Sequence, residues 1–102
     1  MKLEHYSLDK LSSEVLDILE RNLGNRKFRV FYFGSRALGK GSGRSDIDIG
    51  IEADEAIPRS TLFKMREEID DLNLLYKIDL VDFRLVSDDF LKVVGNKRKY
   101  IN

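Results

Sequence analysis

The chain has no cysteine, one proline and one histidine among its 102 residues. Without cysteine there is no disulfide framework and no thiolate metal site. The lone histidine, His5, lies near the N-terminus and reads as a surface residue rather than a ligand. Neither charge sign is in surplus: 18 lysines and arginines meet 18 aspartates and glutamates, for a formal net charge of zero. That balance excludes a basic surface built for non-specific nucleic-acid binding. No run approaches the ~20 apolar residues of a membrane span. The polar stretch from Met1 to Lys10 has no signal-like apolar segment. These absences set the expectation of a soluble, cytoplasmic protein with no membrane partner and no direct nucleic-acid partner.

What is present suits a globular chain. Hydrophobic residues make up 42% and charged residues 35%, and the length fits one domain spanning residues 1–102. The run Lys97-Arg98-Lys99 sits in what reads as a basic, solvated tail from about residue 96.

Periodicity orders the elements. Leu8, Leu11, Val15, Ile18, Leu19 and Leu23 recur at helical spacing, with Ser7 as N-cap and Gly24 as stop. Phe28 to Phe33 is aromatic and β-branched and predicts a strand ending at Gly34-Ser35. Residues 36–38 suit one helical turn. Gly39 to Ser45 holds three glycines in seven residues and must be a loop. Asp46 to Glu52 alternates strictly: Ile47, Ile49 and Ile51 point one way, Asp46, Asp48, Gly50 and Glu52 the other. Pro58 suits the first turn of a helix whose buried stripe is Leu62, Met65, Ile69, Leu72 and Leu75. A third strand runs from about Lys77 to Phe83. Ser87 caps a last helix, about Asp88 to Val94, stopped by Gly95. The expected architecture is α/β (α+β): a small mixed three-stranded sheet with helices packed on one face, and strands one and two antiparallel.

Asp46 and Asp48 carry the most chemical information. Two apart on a strand, their carboxylates leave the same face and can reach one divalent cation. Such hard oxygen donors suit Mg²⁺, which takes one or two carboxylates and fills its shell with water and substrate phosphates. Gly34 lets the backbone approach a ligand closely. Ser35 stands where amide groups at the start of a new turn attract phosphate. Arg36, Lys40 and Arg44 lie on or beside the following loop, where they can neutralise a triphosphate. Asp79 and Asp82 differ in parity, so only one of them can join Asp46 and Asp48. The spacing alone leaves that choice open.

The stretch Phe31-Tyr32-Phe33-Gly34-Ser35-Arg36-Ala37-Leu38-Gly39, followed by Ser45-Asp46-Ile47-Asp48-Ile49, resembles the signature of the polymerase-β nucleotidyltransferase superfamily. It is most similar to the minimal nucleotidyltransferases. The likeness is strong over Phe31 to Ile51 and moderate over Ile78 to Asp82; the glycine-rich loop departs from the usual text. The resemblance implies that Asp46 and Asp48 bind metal. It implies that Asp79 is the third carboxylate, a metal ligand and the base for an attacking hydroxyl. Gly34, Ser35 and the neighbouring Arg36, Lys40, Arg44 and Ser45 would hold the nucleotide. It further implies two Mg²⁺ ions, a nucleoside triphosphate (ATP) as substrate, and transfer of AMP to a tyrosine of a helical HEPN-type toxin, with this chain as antitoxin. A chain this short has no room for an acceptor-recognition domain, which also points to a protein partner.

Three other readings compete. A non-catalytic antitoxin would only mask its helical partner. Transfer to a small molecule such as an aminoglycoside ranks third, since enzymes of that kind carry an extra domain. Gly34 to Lys40 also fits the glycine-to-lysine spacing of a P-loop, but Gly41 stands where a Mg²⁺-binding Ser or Thr is needed. The sequence leaves self-association undecided.

Overall fold

A computed structural model describes residues 6–34, 46–72 and 74–102. Helix α1 spans Leu8–Leu23. The Ser7 hydroxyl accepts the Lys10 N–H at 3.3 Å, and Gly24 closes the helix at φ +62° with its own N–H donating to the Glu20 carbonyl. Strand β1 (Phe28–Phe33) and strand β2 (Ile47–Ala53) follow, then helix α2 (Arg59–Asp70) and strand β3 (Ile78–Asp82). Helix α3 (Asp88–Val94) is capped by Ser87, whose hydroxyl accepts the Phe90 N–H at 3.1 Å. Strand β4 (Lys99–Tyr100) ends the order.

The sheet runs β3-β2-β1-β4. β1 pairs antiparallel with β2 and β4, and β2 pairs parallel with β3. The parallel pair needs a crossover, and α2 supplies it. Alternation along the strands then assigns the two faces. Val30, Tyr32, Ile47, Ile49, Ile51 and Leu80 join the buried side of α1 (Leu11, Val15, Ile18, Leu19, Leu23) and of α2 (Leu62, Met65, Ile69) in one core. The opposite parity puts Phe31, Phe33 and Phe83 with Val94 of α3 in a second, smaller core. The rings there meet edge to face: Phe31 and Phe83 at 4.8 Å between centroids, Phe33 and Phe83 at 5.1 Å. Gly50 is the reason they fit. A Cβ at that position would stand 2.5 Å from both the Phe31 and Phe83 rings.

Four details differ from the sequence expectation. Among the described residues the sheet has four strands rather than three, and α3 covers the face opposite α1 and α2. That face is legible as apolar only once Phe31, Phe33 and Phe83 are aligned side by side. The residues read as a solvated tail are tied to β1. The Ile101 N–H donates to the Val30 carbonyl at 2.8 Å, and the Val30 N–H donates to the Asn102 side-chain oxygen at 2.8 Å. Within the basic run, the Arg98 guanidinium lies over the Phe31 ring at 4.6 Å and donates to Glu52 at 2.7 Å. Finally, α2 stops at Asp70 and leaves Leu75 exposed beyond it. Consecutive aspartates compete for backbone hydrogen bonds and favour a helix exit there. No helix among the described residues is long and apolar enough to cross a membrane.

Candidate active site

The end of β1 and the starts of β2 and β3 come together at one edge of the molecule. In the antiparallel register Phe33 stands opposite Asp48, and in the parallel register Asp48 stands beside Asp79. Asp48 and Asp79 therefore share the face turned away from α1 and α2. Asp46 is exposed, immediately before β2. Gly34 leaves β1 at φ +80°, and a Cβ on it would fall on the Asp48 carboxylate. Both the backbone angle and the space therefore demand glycine here.

Asp48 is half-buried, and its carboxyl is held above the ordinary value of 3.8. Burial is the main cause, followed by the negative charges of Asp79 and then Asp46. The turn, the strand pairing and the burial thus crowd like charges where a cation would relieve them. The donors are all carboxylate oxygens, the chemistry Mg²⁺ accepts. As placed, no three His, Cys, Asp or Glu side chains among the described residues form a ready cage for a metal ion. Asp79 turns instead toward the Lys77 ammonium, 3.9 Å away. Mg²⁺ held mainly by phosphates and water needs only one or two of these carboxylates, so the donor set fits it.

Asp82 lies on the other face, 4% exposed, with its Oδ1 accepting the Arg84 N–H at 3.0 Å. Tyr32 likewise points away, into the α1 core, where its hydroxyl is hydrogen-bonded to Ser12 at 2.7 Å. Phe33, on the opposite parity, lines the cleft described next. Ser35, Arg36, Lys40, Arg44 and Ser45 lie outside the described residues, as do His5, the turn at 36–38 and the loop at 39–45.

An open cleft of about 560 Å³ runs from Asp48 and Asp79 round the free side of β3. Phe33 and Phe90 form part of its wall, and Arg66, Asp70 and Lys77 line it too. The Arg66 guanidinium donates twice to the Leu80 carbonyl, at 2.7 and 3.2 Å, which closes off part of the exposed strand edge. None of Arg66, Asp70, Lys77 or Phe90 was singled out from the sequence. Lys77 was readable, because it shares Asp79's parity two residues upstream. Arg66 and Asp70 reach the cleft only through the docking of α2.

Residues 10–101 match the family described as polymerase beta, nucleotidyltransferase, and the chain belongs to it. Among curated proteins it is similar to the "Probable protein adenylyltransferase MntA" of Haemophilus influenzae, 30% identical over 67 residues. That match covers 66% of this chain and 59% of the relative's length. Among solved structures it resembles a chain of a toxin–antitoxin with AMP-PNP. There the TM-score is 0.71 at 23% identity, over 89% of this chain and 72% of that one. It also resembles a chain of a tri-AMPylated Shewanella oneidensis HEPN toxin in complex with MNT antitoxin. There the TM-score is 0.68 at 20% identity, over 93% and 72% of the two chains. At these identities the likeness to solved structures is one of fold.

Proposed function

We propose that residues 1–102 act as one metal-dependent nucleotidyltransferase unit that moves AMP from ATP to a tyrosine hydroxyl of a helical HEPN-type partner. In this reading the chain is the antitoxin of a toxin–antitoxin pair and works in the cytoplasm. One observation carries it. Asp48 and Asp79 stand side by side on adjacent strands, against a Gly34 turn that has no room for a side chain. The H. influenzae relative, named for protein adenylylation, supports the reaction, and the toxin–antitoxin fold neighbours support the partner.

Gly34 and Ser35 would hold the triphosphate with backbone amides and a hydroxyl, helped by Arg36, Lys40, Arg44 and Ser45. Asp46, Asp48 and Asp79 would hold two Mg²⁺ ions. Bound there, they supply positive charge to the entering and leaving oxygens. The acceptor hydroxyl gives its proton to Asp79 as its oxygen bonds to the α-phosphorus. The bond from that phosphorus to the bridging oxygen breaks, and pyrophosphate leaves with the electron pair. The protein's share is positioning and charge stabilisation.

The test is ATP labelled at the α-phosphate, with Mg²⁺ and the product of the adjacent gene. Label is expected on a tyrosine of the partner, and Asp48→Asn removes it. A tight complex that gains no label would leave only the masking role.

A further inference from the structure

The site has a direction across the sheet. Gly34 ends β1, Asp48 lies on β2 and Asp79 lies on β3, the edge strand. Gly34 and Asp79 therefore flank Asp48 from opposite sides. In-line transfer puts the attacking and leaving oxygens on opposite sides of the phosphorus. If the triphosphate lies against Gly34, the acceptor arrives from β3, which is where the cleft opens.

Among the described residues, Arg66 and Lys77 bring positive charge to that approach. Arg66 is committed to the Leu80 carbonyl by two hydrogen bonds. Lys77 is not held in that way. Its side chain is 72% exposed, and its ammonium stands 3.9 Å from the Asp79 carboxylate, beyond hydrogen-bond range. An exposed ion pair of this kind adds little to stability. Its distinguishing feature is that it lines the open cleft beside Asp79.

We propose that Lys77 contacts the acceptor oxygen as it attacks; this rests on the nucleotidyl-transfer reading above. A hydroxyl donating to Asp79 at about 2.7 Å fits within donor reach of an ammonium 3.9 Å from that same carboxylate. The carboxylate accepts the proton, and the ammonium donates to the oxygen that loses it. Negative charge developing on that oxygen is then met by a placed cation. Lys77 thus serves the acceptor side of the site, across Asp48 from Gly34.

The experiment compares the full-length wild type with Lys77→Gln and Lys77→Arg, using α-labelled ATP and the adjacent-gene product. Transfer kinetics are paired with calorimetric ATP binding across a Mg²⁺ series. For Lys77→Gln, kcat/KM for the acceptor should fall at least about tenfold, with ATP affinity and its Mg²⁺ requirement unchanged. Lys77→Arg should recover part of the loss. Wild-type transfer by Lys77→Gln overturns the inference. So does a matching loss of ATP affinity, which would assign Lys77 to the triphosphate. A shifted Mg²⁺ requirement also overturns it, because Lys77 would then act only through Asp79. A wild-type chain that labels nothing sinks the parent reading and this inference together, whereas a fully active Lys77→Gln sinks this inference alone.

Discussion

Gly34 and Asp48 occupy the same small space: the position a Cβ on Gly34 would take is filled by the Asp48 carboxylate. Gly34→Ala must therefore both adopt φ +80° and push Asp48 aside. The backbone alone should cost roughly 1–2 kcal/mol, seen as a lower melting temperature. Displacing a substrate-positioning group by about 1 Å should lower nucleotidyl transfer about 100-fold. An alanine variant with wild-type turnover would show that this close approach plays no part in the reaction.

Asp79 and Asp82 make a matched pair of controls. Asp79→Asn should abolish transfer while the melting temperature stays near wild type, because Asp79 lies half-buried at the cleft. Asp82→Asn should keep transfer and lose about 1 kcal/mol, the worth of a perturbed buried hydrogen bond, here the one from the Arg84 N–H. Activity assays on both variants, with thermal melts alongside, check this; the reverse pattern would exchange the two roles.

The second core makes its own prediction. Gly50→Ala sets a methyl 2.5 Å from the Phe31 and Phe83 rings. Overpacking of this kind costs about 1–3 kcal/mol. Urea denaturation should show a lower midpoint with an unchanged slope. Because Phe33 and Phe90 both stand against the Phe83 ring and also line the cleft, acceptor transfer should weaken as well.

Asp48 gives stability a pH dependence in the absence of divalent cations. Its carboxyl is raised above 3.8 by burial and by Asp79 and Asp46. The folded chain thus binds more protons than the unfolded chain from about pH 3.8 up to the raised value. Stability contributed by this group therefore falls as pH rises through that window. In chelator near neutral pH, Asp48→Asn should melt above wild type, and the gap should close below about pH 4. Equal melting temperatures at every pH would mean that Asp48 is not strained by its surroundings.

Much of this protein is written locally. Helix α1, with Ser7 and Gly24 at its ends, and the strand Phe28–Phe33 follow from spacing that involves only near neighbours. So does the placing of Asp48 on the face opposite Ile47, Ile49 and Ile51, because a strand has a period of two whatever it pairs with. The end of α2 is not legible in this way, because the leucine spacing continues to Leu75 after the backbone has left the helix.

Tertiary structure decided what local pattern cannot carry. Parity says that Asp79 and Asp82 face opposite ways, but only the parallel register of β3 against β2 places Asp79 beside Asp48. The strand at Lys99–Tyr100 exists because β1 offers it a free edge, and two residues leave no periodic trace of their own. Helix α3 finds the second face because Phe31, Phe33 and Phe83, from two strands, assemble there around Gly50. Arg66 and Lys77 meet at the cleft only when α2 docks beside β3. The sequence by itself determined which side chains leave each strand together, since backbone geometry repeats every two residues. Which strands lie side by side, and so which carboxylate stands beside Asp48, was decided by burial of two apolar faces between residues far apart in the chain.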